Sequence, residues 1–488
     1  MTLKQSFLWS AIQQVGPRVV QILIGLVLAH LLDPRAFGLV GMLALFVGLA
    51  QVFSDCGLSA SLIQRKTLSA DDETSVFAMN VVAGFGLAAL QCLVSPFVAW
   101  FYGQPVLMPM LCVHSLSIVL SSLCIVQIAL LERTMQFKKT ALVSAASTVS
   151  SGLVGLGLAY FGCGVWSLVI SGVAAVLVRA AILWSISSWR PNGKVRLACV
   201  RSMWSFSSYL LYCNLIGIIY QNMYAVVIGK VYSPASLGYY DRANNLRMLP
   251  AGIMTGIVDR VAFPLFSRCQ DDKALLLQKI REILRGTLFL SAGALTLLAV
   301  IADPLVPLLM SEKWRPSIPL LRILCYAGVF YPISSLYLMA LQAQGHSDLN
   351  FRLESIKMVN VIVAVALVYS HGVQALAWSV VGLTVIAYFL NAYYNVKLLG
   401  YRWSMQAQDI LPTFCVCAVS GWTAWWIGSL VPASTIIVLL ASSASFMLLC
   451  ITAVFCFRKM FFDGVWGHLA WGVNWLRQKL TPGLSASA

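Results

Sequence analysis

The sequence predicts an all-α, polytopic membrane protein, about fourteen transmembrane helices in two parallel-repeat lobes around a central cavity. Three observations carry this. Hydrophobic residues make up 60% of the chain and charged residues only 10%, too little polar surface for soluble domains, so the solvent is lipid. Apolar runs follow one another along the chain, most reaching the roughly 20 residues a helix needs to cross hydrocarbon. Finally, Leu31-Leu32-Asp33-Pro34-Arg35-Ala36-Phe37-Gly38 returns 200 residues later as Val231-Tyr232-Ser233-Pro234-Ala235-Ser236-Leu237-Gly238. That offset covers an even number of predicted helices, so both copies enter the membrane from the same side. Repeats packed around a midplane site are the construction of secondary transporters, which points to moving a solute across a bilayer.

Taken in order, runs near 9–32, 36–63, 74–101, 105–131, 140–162 and 164–187 form an N-terminal lobe, residues 1–187. A cytoplasmic linker, 188–202, follows. Runs near 203–229, 243–267, 286–310, 317–343, 355–370 and 373–396 form a C-terminal lobe, 203–400, and runs 410–430 and 433–457 add two spans within 401–457. The tail, 458–488, carries Phe462, Val465, Trp466, Leu469, Val473 and Leu476 at helical spacing beside Arg458, Lys459, Arg477 and Lys479, and reads as an interfacial helix on the inner leaflet. The stretch 275–284, among Lys279, Arg281 and Arg285, reads similarly. The first run holds Arg18 in its middle and is copied by the seventh, which marks it as part of the repeat rather than a cleaved leader. At Asp33-Pro34 and Ser233-Pro234 one helix gives way to the next. Asp or Ser is expected at the N-cap, accepting a hydrogen bond from the first turn, with Pro at the first helical position.

The formal net charge of +16 is distributed by membrane side. Arg133/Lys138/Lys139, Arg190/Lys194/Arg196/Arg201 and Lys273/Lys279/Arg281/Arg285 fall on alternate loops, which by the positive-inside rule puts both termini in the cytoplasm. This placement argues against a nucleic-acid partner. The thirteen cysteines are scattered through apolar runs without a disulfide spacing, and the one close pair, Cys415 and Cys417, points two ways on a helix. No metal site or cofactor is implied. No phosphate-binding loop, nucleophile elbow or zinc motif is present, and no predicted loop leaves room for an extramembrane catalytic domain, so the chain reads as a transporter and not an enzyme.

A shift of 200 residues places Gln14 on Asn214 and Gln21 on Gln221. Gln14, Arg18, Gln21 and Gly25 share one face of the first helix, and Asn214, Gly217, Gln221 and Tyr224 share one face of the seventh. Facing lipid, Arg alone would cost about 2.5 to 3.5 kcal/mol on insertion scales. Both stripes are therefore expected to face a shared lumen, although such amides also serve to bond neighbouring helices. Of the ionisable residues in the spans, Arg18, Arg247 and Arg260 are candidates for an anionic group, with Arg242 at the outer mouth. Asp259-Arg260 reads equally as an internal structural pair, and Asp303 and Arg322 as residues solvated at the outer boundary.

Several stretches resemble a known family. They are 33–38, then Phe53-Ser54-Asp55-Cys56-Gly57-Leu58-Ser59-Ala60-Ser61-Leu62-Ile63-Gln64-Arg65, Leu131-Glu132-Arg133 through Phe137-Lys138, Lys313-Trp314-Arg315-Pro316 and Gln342-Ala343-Gln344-Gly345. In order and spacing the chain resembles the Wzx-type polysaccharide flippases of the multidrug/oligosaccharidyl-lipid/polysaccharide exporter superfamily, nearest to the colanic-acid and teichuronic-acid exporters. The resemblance implies that oligosaccharide units linked to undecaprenyl pyrophosphate are turned across the bacterial inner membrane by two lobes rocking around a cationic cavity. It also implies membrane lipids and a polysaccharide polymerase or export machinery as partners. In that setting Arg18, Arg247 and Arg260 attract diphosphate or acidic sugar, Gln14, Gln21, Asn214, Gln221 and Tyr224 bond hydroxyls, and Asp55 or Asp259 couples an ion. Two rivals stand beside it. A multidrug or small-cation antiporter of the same superfamily would need deep carboxylates where the first helix has Arg18, and a membrane polysaccharide polymerase or ligase would be expected to carry a large outside loop.

Overall fold

The computed structural model describes residues 20–65, 67–345, 347–430 and 435–456, and among these every regular element is helical. From Val20 the chain runs through α1 to Leu31. Then follow α2 (Pro34–Asp55), α3 (Leu58–Gln64), α4 (Ala70–Tyr102), α5 (Leu107–Ser122), α6 (Ile125–Arg133), α7 (Phe137–Tyr160), α8 (Val165–Ile186), α9 (Leu197–Val231) and α10 (Pro234–Arg268). The rest comprises α11 (Lys273–Val300), α12 (Ala302–Met310), a 3-10 turn at Glu312–Trp314, α13 (Ser317–Ala343), α14 (Ser347–Val368), α15 (Val373–Leu399), α16 (Trp403–Leu430) and α17 (Thr435–Cys456). Ten of the described helices are long and apolar enough to cross a membrane, or eleven spans if α5 and α6, bent by 41°, count as one. Of the other three predicted runs, 9–32 is described only from Val20, as α1, and the remaining two lie on α10 and on α14. Helices suit this solvent because they satisfy their own backbone hydrogen bonds where no water is available. The interfacial tail, 458–488, lies outside the described residues.

The chain divides into two compact units, residues 1–241 with 309–313, and residues 242–308 with 314–488, the first division falling inside α10. In the first unit, Cys56, Leu58, Leu62, Val76, Val126, Ala129, Val200 and Met203 pack as one apolar cluster among α3, α4, α6 and α9. Arg133 closes the end of α3, its guanidinium donating to the carbonyls of Leu62 at 2.6 Å and Arg65 at 2.5 Å. At the start of α4 a capping box forms, Ser69 Oγ accepting from the Asp72 amide at 3.2 Å while Asp72 Oδ2 accepts from the Ser69 amide at 3.1 Å.

The linker segment before α9 is bound to that same first turn. Trp189 Nε1 donates to Glu73 Oε2 at 2.6 Å, and the amides of Gly193, Lys194 and Arg196 donate to Thr74 Oγ1, Asp71 Oδ1 and Ser75 Oγ at 3.0, 2.8 and 2.8 Å. A Cβ at Gly193 would collide with the Ala70 carbonyl, so the close passage of the strap needs glycine.

In the second unit α13 is the central helix. Its buried residues, among them Leu320, Leu321, Ile323, Leu324 and Ala327, surround its axis, the pattern of a helix covered on all sides. Phe289, Ala424, Phe446 and Cys450 join α11, α16 and α17.

Two expectations are corrected. Asp33 stands at the N-cap of α2, yet its side chain makes no capping hydrogen bond; the Lys313 ammonium holds its carboxylate at 3.3 Å instead. Ser233 does cap, accepting from the Ser236 amide at 3.1 Å. The stretch 275–284 is not a separate surface helix but part of continuous α11, with Leu276, Ile280, Ile283 and Leu284 buried, because those side chains form one face directed into the unit. Asp303 and Arg322, expected to be solvated at the outer boundary, both have exposed side chains and in addition form an ion pair with each other.

Candidate functional site

Gln14 and Arg18 lie outside the described residues. Of their stripe Gln21 is seen, exposed on α1. On α9, Asn214 and Gln221 are both exposed, and apart from its chain neighbours and the adjoining backbone of its own helix nothing lies within 4 Å of the position a Cβ would take at Gly217 between them. Seven residues separate the two amides, two helical turns on one face, so α9 presents an open polar strip along a largely apolar span. Hydrocarbon offers such amides no partner, whereas water or a hydroxylated ligand does. Tyr224, one turn further, is half-buried with its ring stacked on Tyr240, centroids 6.2 Å apart and planes 20° apart.

The remaining candidates follow along α10 in the second unit. Arg242 is half-buried. Arg247 is buried, with only 7% of its surface exposed, and its Nε donates to Asn244 Oδ1 at 3.0 Å. That bond is formed within one helix turn and orients the guanidinium. The side chains of Asp259 and Arg260 lie outside the described set. Asp55, at the end of α2, accepts from the Ser59 amide at 3.1 Å and from Ser59 Oγ at 2.7 Å. It thereby ties α2 to α3 across the left-handed residues Cys56 and Gly57.

A second constellation was not anticipated. The Asp409 side chain is fully buried and is gripped by two arginines, Arg281 Nε at 2.7 Å and Arg285 Nη2 at 2.5 Å, which retain about a quarter of their own exposure. Tyr401 donates its hydroxyl to Asp409 at 2.6 Å. Burial pushes the Tyr401 phenol up, so the hydroxyl keeps its proton. One turn away Gln406 Oε1 accepts from both Tyr388 at 2.8 Å and Tyr337 at 3.2 Å, and its amide donates to the Tyr401 carbonyl at 2.9 Å. The network joins α11, α13, α15 and α16 within one unit. The one signal in the sequence was the pair Arg281 and Arg285, four residues apart and so on one face of a helix; their shared carboxylate is 124 residues beyond Arg285.

The family model described as polysaccharide biosynthesis protein matches residues 27–319. The chain belongs to that family. The match bears out the resemblance carried by the stretches from Asp33 to Arg65 and from Leu131 to Lys138. Within the family's range of relatives, the chain is 27% identical over 371 residues to the lipopolysaccharide biosynthesis protein WzxC of Escherichia coli (strain K12), covering 74% of this chain and 73% of the relative. It is 26% identical over 407 residues to the succinoglycan biosynthesis transport protein ExoT of Rhizobium meliloti (strain 1021), covering 83% and 80%. Among solved structures, the lipid II flippase MurJ in an inward closed conformation is similar in fold with a TM-score of 0.74 at 15% identity, over 92% of this chain and 99% of that one. An inward-facing multidrug resistance MATE family transporter of the MOP superfamily gives 0.61 at 13% identity, over 80% and 98%. This family member is thus a multi-pass membrane protein, all-helical among its described residues, with the fold of these two solved structures.

Proposed function

We propose that this protein is a flippase, carrying undecaprenyl-pyrophosphate-linked oligosaccharide units across the bacterial inner membrane by alternating access for exopolysaccharide or lipopolysaccharide synthesis. The family match over residues 27–319 carries this reading; the fold by itself is also that of multidrug exporters. The open strip of Asn214 and Gln221 on α9 supports it physically. A diphosphate and its sugars are costly in hydrocarbon, so they need a wet passage while the polyprenyl tail stays in lipid.

In this proposal Arg18, Arg247 and Arg260, with Arg242 at the outer mouth, draw the diphosphate or acidic sugars through charge-assisted hydrogen bonds. Gln14, Gln21, Asn214, Gln221 and Tyr224 bond sugar hydroxyls, and Asp55 or Asp259 couples an ion. Arg247 is buried in the state described, so its contact with cargo requires α10 to move. Asp55, held by Ser59, couples an ion only when that turn loosens. Both termini are placed in the cytoplasm by the positive-inside rule, and a polysaccharide polymerase or export machinery receives the cargo outside.

The test deletes the protein and locates the lipid-linked sugar. Accumulation on the cytoplasmic leaflet is expected; unpolymerised units already on the outer leaflet would rule the flippase out in favour of a polymerase. Arg18→Ala is expected to abolish export at unchanged membrane content, and Arg18→Lys to retain part of it, measured as surface polysaccharide. Wild-type export by the Ala variant removes Arg18 from the site.

A further inference from the structure

The two copies of the internal repeat meet each other inside the first unit. A Cβ built on Gly38 would run into the carbonyl oxygen of Pro234, with the Gly238 nitrogen 3.1 Å away; one built on Gly238 would run into the carbonyl oxygen of Pro34, with the Gly38 nitrogen 3.3 Å away. The approach is reciprocal, between positions that correspond in the repeat. It brings the first turns of α2 and α10 together backbone to backbone.

A ring of side chains surrounds this centre. An added Cβ at Gly41 would lie 3.3 Å from Leu237, and one at Gly229 3.0 Å from Met42 and 3.1 Å from Tyr102. Leu237, Met42 and Tyr102 are buried. The outer rim is polar. Asp33 pairs with Lys313 at 3.3 Å, Arg35 donates to Gln104 at 3.4 Å, and Lys230 lies over the Phe101 ring at 4.7 Å while donating to the Phe101 carbonyl. The seam thus grades from a dry centre of glycine and carbonyl to charged groups that water reaches.

Small residues let helix backbones approach within reach of Cα–H···O contacts, which act only at short range. When such a contact parts it strands no buried charge, and the large side chains ringing it leave the smooth surface of a glycine rather than unlock from one another. It is therefore suited to repeated opening. We propose that the reciprocal approach of Gly38 and Gly238 is the seal that closes the protein on its outer face, and that it parts and reforms in each transport cycle. The proposal rests on the flippase reading and on the cytoplasmic placement of the termini, which puts the α1–α2 and α9–α10 junctions outside.

The test places a reporter beneath the seal, Met42→Cys, in the full chain in spheroplasts, and applies a membrane-impermeant maleimide from outside. Adding Gly238→Ala or Gly38→Ala is expected to raise labelling several-fold and to lower export at unchanged membrane content. Gly86→Ala, on α4 with nothing within 4 Å of its added methyl, is expected to change neither. If the first two variants do not accumulate, Gly41→Ala decides, because its methyl meets only the Leu237 side chain; a smaller rise in labelling is expected. Labelling equal to the Met42→Cys parent in every accumulating variant overturns the seal, as does undiminished export in a variant that labels strongly. The deletion experiment on leaflet accumulation fails or succeeds independently, so loss of the flippase reading and loss of the seal are told apart.

Discussion

Gln221 of the first unit and Gln406 of the second are alike in sequence, glutamines in long helices of apolar character, and unlike in the fold. Gln221 stands on an open face of α9 with Asn214. Gln406 is buried, accepts from two tyrosines and is part of the network that ends on Asp409. Where lipid is the solvent, a polar side chain is most stable on a wet surface or among internal partners. The first leaves the group accessible, and the second commits it to holding helices together. Polarity alone therefore does not identify a transport site.

The sharpest break of this comparison is Asp409→Asn. Removing the carboxylate charge leaves Arg281 and Arg285 facing each other without a counter-ion, and a loss of about 3 kcal/mol or more is expected, read as a lowered thermal midpoint of the detergent-purified protein. An unchanged midpoint would mean that the network does not stabilise its unit. Next comes the amide pair itself. Gln406→Leu is expected to cost about 1 to 3 kcal/mol by leaving the Tyr337 and Tyr388 hydroxyls without their acceptor, while Gln221→Leu stays within about 0.5 kcal/mol but lowers export per molecule. Equal stability effects in the two variants would erase the distinction. The smallest effect separates the two repeat caps. Ser233→Ala is expected to cost about 1 kcal/mol through the lost amide bond, and Asp33→Ala, whose carboxylate is exposed and paired only to Lys313, no more than about 0.5 kcal/mol, both by chemical denaturation in detergent.

These particulars also mark how far the residues alone could be read. The family, the helical class and the parallel repeat followed from motif order, hydropathy and the 200-residue return of Asp33-Pro34 as Ser233-Pro234. The cap at Ser233 was anticipated because capping is local, three residues from donor to acceptor. The cap at Asp33 was not realised because a distant lysine, Lys313, competes for the same carboxylate. Asp409 escaped notice for a related reason: it stands just ahead of the apolar run 410–430, and nothing near it in sequence reveals that two arginines of α11 will surround it.

Hydropathy and helical period are properties of short stretches, so the amino-acid sequence by itself determined that lipid is the solvent, that helices are the elements, and that one bundle motif occurs twice. Pairing and close approach are properties of residues brought together from far along the chain. Only the tertiary structure decided that Asp409 is a strut, that Asn214 and Gln221 stand open, and that Gly38 meets Gly238. The physical reason is that a polar group or a missing side chain has no fixed meaning until its neighbours in space supply water, a partner or another backbone.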